Sequence, residues 1–242
     1  ITSPAFTGDK VIAAIMFERT MDGQAAGVSV PQALHARGVV PFLKIDKGLE
    51  DEANGVQMMK PIPGLDVLLE RARGLGVFGT KERSVVNLAN REGIEAIVRQ
   101  QFEIGAQVLA AGLIPILEPE VNIKSAERAD ADALLVEALL AALDAHDGAP
   151  VMLKLSLPAD PGLYASLIAH PKVVRVVALS GGYDRTEACA ELARNPGVIA
   201  SFSRALLEDL RADMDDAAFD RALGAAIDEI YAASTVKVPV AA

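Results

Sequence analysis

Lys154 is the residue whose setting most demands a chemical explanation: it stands in the middle of Val151-Met-Leu-Lys-Leu-Ser-Leu157, an otherwise apolar run that reads as a buried strand. An ammonium buried without a partner is costly enough that the group either pairs or gives up its proton. A neutral lysine amine is a nucleophile toward carbonyl carbon, so Schiff-base chemistry is one reading of the position. The other is a strand-end lysine whose stem lies along apolar surface while its ammonium reaches water. The groups that close the other apolar runs bear on the choice. They are Lys44-Ile-Asp46-Lys47, Lys81-Glu-Arg83, Glu118-Pro-Glu120, Ser180-Gly181-Gly182 and Ser203-Arg204. In a strand, residues i and i+2 share a face. Lys44 therefore goes with Asp46, Lys81 with Arg83 and Glu118 with Glu120, and each pair can aim into one space. Of the inward candidates six are basic (Lys44, Lys47, Lys81, Arg83, Lys154, Arg204) and three acidic (Asp46, Glu118, Glu120), on a chain whose formal net charge is −10. Cations gathered in one place on an acidic protein predict an anionic small-molecule ligand.

Glu118 and Glu120 can serve as acid/base groups, as ion-pair partners of Lys81 or Lys154, or, together with Asp46, as magnesium ligands. Neighbouring lysines compete with a metal for those carboxylates, so neither a metal nor a cofactor is expected. The histidines oppose a zinc site, because His35, His146 and His170 each precede an apolar run instead of following one. Ser180-Gly181-Gly182 lies ahead of a helical stretch, with Ser203-Arg204 after the next run. That arrangement suits a phosphate held by backbone N–H groups, a helix N-terminus and an arginine. Cys189 falls in an amphipathic stretch and reads as a small buried apolar residue, and the acidic run Glu208–Asp216 reads as a solvated helix end.

These groups need elements to position them. Seven short β-branched runs recur: Val11–Phe17, Val39–Ile45, Val77–Arg83, Leu113–Pro119, Val151–Leu157, Val173–Ser180 and Gly197–Ser203. Helix-period segments lie between them, among them Gly64–Leu75, Gly93–Ala111, Ala126–Ala145, Leu163–Ile168 and Thr186–Arg194. Several close on a glycine, as in Ala111-Gly112. Alternation of this kind predicts a parallel sheet, either a (β/α)8 TIM barrel or a doubly wound sheet. No Gly-x-Gly-x-x-Gly follows the first run and no Walker lysine motif occurs, which favours the barrel. In a barrel the functional groups sit at the C-terminal ends of the strands, where the charged pairs fall. A single domain over residues 1–242 is expected, with a C-terminal tail at 234–242.

Composition excludes other classes. The negative charge and the absence of tryptophan oppose a nucleic-acid surface. No uncharged run is long enough for a membrane helix. The start Ile1-Thr-Ser-Pro-Ala-Phe-Thr-Gly lacks the features of a secretory signal, and a single cysteine gives no disulfide framework. A cytoplasmic protein without nucleic-acid or membrane partners is expected, and a homo-oligomer is left open.

Six motifs, Lys44-Ile-Asp-Lys-Gly48, Gly79-Thr-Lys-Glu-Arg83, Ile114-Pro-Ile-Leu-Glu-Pro-Glu120, Met152-Leu-Lys154, Leu179-Ser-Gly-Gly182 and Phe202-Ser-Arg-Ala205, follow one another along the chain. Their order and spacing resemble those of the class I, Schiff-base-forming fructose-1,6-bisphosphate aldolases, the bacterial branch in particular. The resemblance implies a (β/α)8 barrel that cleaves fructose 1,6-bisphosphate reversibly to dihydroxyacetone phosphate and glyceraldehyde 3-phosphate, without metal or cofactor. It makes Lys154 the Schiff-base lysine and Glu118 the acid/base carboxylate, with Lys81 beside them. Lys44, Asp46, Arg83, Glu120, Ser180, Gly181, Gly182, Ser203 and Arg204 then belong to substrate and phosphate binding. The family's first strand carries an aspartate near the Schiff-base lysine and is followed by a substrate-binding arginine, and neither has a counterpart here. An absent first βα unit is therefore expected, with Val11–Phe17 and Gly197–Ser203 facing each other across a gap and little turnover from this chain alone. Animal members end in a tyrosine that visits the site, whereas Ser234–Ala242 contains none. Two other readings stand beside this one: a metal-dependent barrel lyase or isomerase using Asp46, Glu118 and Glu120 on a sugar phosphate, and an inactive barrel acting as a binding protein. Loss of activity in a chelator would favour the first, while an intact, costly lysine cluster argues against the second.

Overall fold

A computed structural model describes residues 1–238. In chain order the elements are β1 (Ala13–Met16), α1 (Glu18–Met21), β2 (Gln24–Ala25), β3 (Val28–Ser29), α2 (Val30–His35), β4 (Val40–Lys44), β5 (Val56–Gln57) and α3 (Leu65–Gly74). There follow β6 (Gly79–Val86), α4 (Arg91–Ala110), β7 (Ile114–Val121), α5 (Arg128–Ala145), β8 (Val151–Ser156), α6 (Ala165–Ala169) and β9 (Val173–Leu179). The chain continues through α7 (Arg185–Ala193), β10 (Ile199–Ala200), α8 (Arg204–Leu207) and α9 (Asp216–Thr235). Seven strands run parallel in the order β1-β4-β6-β7-β8-β9-β10, and β5 adds to β6 antiparallel. Among the described residues β1 pairs only with β4 and β10 only with β9, so the sheet is an open barrel wall.

Alternation along the central strands separates the two sides of this wall. Leu117 in β7 and Leu153 and Leu155 in β8 are fully buried against the helix layer, in one core with Ile94, Ile97, Leu135 and Leu139. Side chains of consecutive strand residues point to opposite faces, so Glu118 and Lys154 are directed to the other side. A second core packs β1 and β4 against α1, α2 and α3 through Met16, Met21, Leu34, Leu43 and Leu69. Helix α4 shows how local sequence sets an element. Asn90 accepts a hydrogen bond from the Gly93 N–H at 2.9 Å and caps the start. Ile94, Ile97, Val98, Gln101, Gly105 and Val108 bury one stripe, and Gly112 at φ 79° takes the left-handed turn after the C-cap.

Several sequence-derived boundaries move. The run Val77–Arg83 continues as strand to Val86, held to β7 on one side along its whole length. The run Gly197–Ser203 shrinks to Ile199–Ala200: one more N–H, that of Ser201, reaches the Ala178 carbonyl at 2.7 Å, and then Ser203 starts the short helix α8. The acidic run Glu208–Asp216 spans two helix ends, from the C-cap of α8 to the first residue of α9, and is mostly exposed. It is the connection from α8 to α9, in which Glu208 and Asp209 bind Arg185 and Asp215 caps α9 by accepting from the Ala218 N–H at 2.7 Å. Acidic side chains suit this place because a helix N-terminus presents unpaired N–H groups and partial positive charge. The tail is anchored at its start, where Lys237 Nζ donates to the carbonyls of Leu192, Val198 and Ala233 at 2.8–3.0 Å. The rest of the segment 234–242, from residue 239 on, lies outside the described residues.

Candidate active site

The strand register assembles the site. Lys44 on β4 stands level with Lys81 on β6, and Arg83 on β6 with Glu118 on β7. Leu117 of β7 is level with Leu153 of β8, so Glu118 and Lys154 are the next residues up a shared ladder. The result is a chain of alternating charge. Lys44 Nζ lies 2.5 Å from Asp46 Oδ1, Asp46 Oδ2 3.2 Å from Lys81 Nζ, Lys81 Nζ 2.7 Å from Glu118 Oε2, and Glu118 Oε1 3.1 Å from Lys154 Nζ. Glu118 thus bridges two ammonium groups, one on each oxygen. The 2.7 Å contact from Lys81 is an ion pair whose angles miss the hydrogen-bond direction. Asp46, Lys81, Glu118 and Lys154 are each no more than 9% exposed, while the Lys44 side chain is one-quarter exposed and opens the chain toward solvent. Among the described residues no hydrogen bond holds Lys154 Nζ; Glu118 is its ion-pair partner. Removing one member of a buried pair leaves the other charge uncompensated, at a cost of about 3–5 kcal/mol. Arg83 and Glu120 form a separate pair one step further along the same face.

The other expected residues fall in two groups. Ser180, Gly181 and Gly182 form the turn that follows β9, closed by the Tyr183 N–H to the Ser180 carbonyl at 3.0 Å. Both glycines have positive φ, 65° and 113°, and a Cβ on Gly181 would come within 2.8 Å of Ile123 Cγ2, so side chains are excluded for two reasons. Ser203 and Arg204 are exposed at the start of α8, and Arg204 has no ion pair among the described residues. Among the described residues no hydrogen bond joins this turn or Arg204 to the lysine–carboxylate chain. Lys47, counted with the site cations on the sequence, points away: it pairs with Glu18 at 2.8 Å on the surface, beside the Arg71–Glu18 and Arg71–Asp22 pairs. The histidines lie ahead of the strands as expected, and their ring nitrogens contact the Gly76 carbonyl, the Ala149 carbonyl and Asp144.

Sequence reasoning missed a polar layer behind the site. Thr80, Glu82 and Ser84 alternate with Lys81 and Arg83 and face α4, where Gln101 Nε2 donates to Ser84 Oγ at 2.8 Å. Burial pushes the Glu82 carboxyl well above the usual carboxylate range, opposed by the Thr80 hydroxyl and the charge of Lys81. Asp132 on α5 was also missed. Burial raises its carboxyl to about 6, against the pull of the Ala159 N–H and Arg128. Polar residues in a strand or on a helix look like solvent-facing positions until the partner element is known. Cys189 is buried as expected, and burial lifts its thiol to about 11.

The family described as fructose-bisphosphate aldolase class-I matches residues 1–153, which include Lys44, Asp46, Lys81, Arg83, Glu118 and Glu120. The fructose-bisphosphate aldolase class 1 of Porphyromonas gingivalis is 54% identical over 235 residues, covering 97% of this chain and 80% of the relative. The chain belongs to the class-I fructose-bisphosphate aldolases. The enzyme of the same name from Synechocystis sp. is 53% identical over 236 residues, covering 97% of this chain and 79% of its own length. In three dimensions the chain superposes on a Plasmodium falciparum fructose-bisphosphate aldolase, solved in complex with TRAP and a small-molecule inhibitor, with TM-score 0.79 and 22% identity over 97% of this chain and 80% of the other. That likeness establishes the barrel-type α/β fold. Family membership accounts for six motifs in order along one sheet, and it makes this chain an enzyme of the aldol-cleaving class. No helix among the described residues is long and apolar enough to cross a membrane.

Proposed function

We propose that reversible cleavage of fructose 1,6-bisphosphate runs through an imine on Lys154 of this chain. The observation that carries the reading is Glu118 held between Lys154 and Lys81 at 3.1 and 2.7 Å in a buried setting. The Lys154 ammonium must shed a proton before it can attack, and Glu118 Oε1 is the adjacent acceptor. The free amine adds to the C2 ketone to give a carbinolamine. Glu118 returns the proton to the departing hydroxyl, water leaves, and a protonated imine remains. The C3–C4 bond then breaks as the C4 hydroxyl loses its proton to a base, and the bond's electron pair moves into the imine to give an enamine. Glyceraldehyde 3-phosphate leaves first. Protonation at C3 and addition of water to the imine release dihydroxyacetone phosphate and restore the amine.

Lys81 keeps positive charge next to Glu118 and Asp46 throughout these steps. Lys44, Asp46, Arg83 and Glu120 bind the sugar end nearest them, and Ser180, Gly181, Gly182, Ser203 and Arg204 receive a phosphate. Asp46, Glu118 and Glu120 each already hold a cationic partner, which favours imine chemistry over the metal-dependent reading. The cytoplasm, where glycolytic substrate is made and used, is the compartment this reading assigns.

Borohydride reduction in the presence of dihydroxyacetone phosphate, followed by peptide mass mapping, tests the assignment. Label on Lys154 alone is the expected result. Label on Lys81 or Lys44 would overturn it, and so would complete loss of trapping after treatment with a chelator.

A further inference from the structure

Arg128, the first residue of α5, joins three of the loops at the C-terminal face of the sheet. It lies at the end of the loop after β7. Its Nη1 donates to the Tyr183 hydroxyl at 2.7 Å, just past the turn after β9, and its Nη2 donates to the carbonyl of Leu157 in the loop after β8. Its Nε lies 3.8 Å from Asp132 Oδ2, which itself accepts from the Ala159 N–H at 2.8 Å in that same β8 loop. The Arg128 side chain is 15% exposed and that of Asp132 fully buried. Ile123, from the loop after β7, occupies the space beside Gly181 that a Cβ would need. Two independent contacts, Ile123 on Gly181 and Arg128 on Tyr183, therefore press the β7 loop onto the glycine turn.

We propose that Arg128 is a positioning residue for the Ser180–Gly182 turn, fixing it through the Tyr183 hydroxyl in one frame with the loop that follows the Lys154 strand. The proposal rests on the reading of that turn as a phosphate site. A turn made of two glycines has little conformational preference of its own, and backbone N–H groups cradle an anion only when they converge. Tyr183 is the first residue after the glycines with a side chain by which the turn can be held. A guanidinium presents its donors as a rigid planar fork, so one group can hold a hydroxyl and a carbonyl at a set separation. A lysine ammonium carries its donors on a single nitrogen at the end of a flexible stem, so it does not reproduce the fixed spacing of the two Nη atoms.

The test is the dissociation constant of inorganic phosphate, measured by calorimetry on the full chain, with thermal stability recorded alongside. Tyr183→Phe and Arg128→Met should each weaken phosphate binding by about 5- to 30-fold, as expected for loss of one or two positioning hydrogen bonds. Arg128→Lys should not restore it. The double variant should bind no more weakly than Arg128→Met alone, because both changes break one linkage. Ser180→Ala and Arg204→Met report on the phosphate reading itself. If those two leave binding unchanged, the phosphate reading fails and this proposal fails with it. If they weaken binding while Tyr183→Phe and Arg128→Met lower only the melting temperature, the role of Arg128 is structural and the proposal alone is overturned. Tyr183→Phe removes a single oxygen, so it decides the matter even where Arg128→Met does not fold.

Discussion

A carboxylate with a different ammonium on each oxygen can pass a proton from one side while the other keeps it anchored. Glu118 has this arrangement, and the ladder places it beside Lys154 with no intervening residue. Glu118→Gln keeps the shape, removes the proton acceptor and leaves Lys154 without its counter-charge. Turnover should fall by roughly 10²- to 10⁴-fold, the usual contribution of a general acid/base, as measured in a coupled assay of fructose 1,6-bisphosphate cleavage. An unchanged rate would reduce Glu118 to an ion-pair partner. Cys189 makes the contrast: buried, with its thiol lifted to about 11, it has neither the ionisation nor the access that nucleophilic chemistry requires.

Between elements, the same low dielectric that strengthens ion pairs penalises a carboxylate whose partner is imperfectly placed. Asp132 on α5 meets Arg128 at 3.8 Å, keeps one oxygen without a hydrogen bond, and titrates near about 6 instead of 3.8. Between those two pH values the folded chain retains a proton that the unfolded chain has lost. Unfolding then releases a proton, so stability falls as pH rises through the window and the cost is complete above the folded value. A shift of this size corresponds to about 3 kcal/mol. Asp132→Asn abolishes the titration, so its stability relative to the parent should improve between roughly pH 4 and pH 7, in the direction linkage requires. Denaturant unfolding of both proteins at several pH values measures the difference; a constant difference across the window would mean that Asp132 is ionised in the fold at no cost.

For the molecule as a whole, an open path of seven parallel strands has a protected middle and two edges. The central strands β7 and β8 hydrogen-bond on both sides, whereas β1 and β10 each have one described neighbour. Amide hydrogen exchange should therefore be slowest in β7 and β8 and markedly faster in β1 and β10, since unpaired edge N–H groups exchange without global opening. Equal protection in all four strands would show that the edges are covered in solution. Charge is also distributed at this scale. The chain carries a formal net charge of −10, whereas on the interior wall the four cations Lys44, Lys81, Arg83 and Lys154 meet the three carboxylates Asp46, Glu118 and Glu120, so the local balance is slightly positive.

The shared face of Lys81 with Arg83 and of Glu118 with Glu120 was legible in the sequence, because strand alternation is a local property, and the leucines on either side of Lys154 show which side of its strand is apolar. Helix α4 was legible for the same reason, through its periodic stripe and its closing glycine, while its Asn90 cap emerged only in the structure. Family membership followed from motif order. Tertiary structure alone decided which cation meets which carboxylate. Lys44 and Lys47 are three residues apart and chemically alike, but one bonds Asp46 in the wall and the other Glu18 on the surface. The bond from Arg128 to Tyr183 spans 55 positions and depends on how two loops pack. Nothing local marks Glu82 and Asp132 as buried, because burial is set by the element that covers a residue. β10 is short although β9 runs from Val173 to Leu179: it pairs only opposite Val177 and Ala178, a limit set by where the chain meets the sheet, which no local pattern in Gly197–Ser203 encodes.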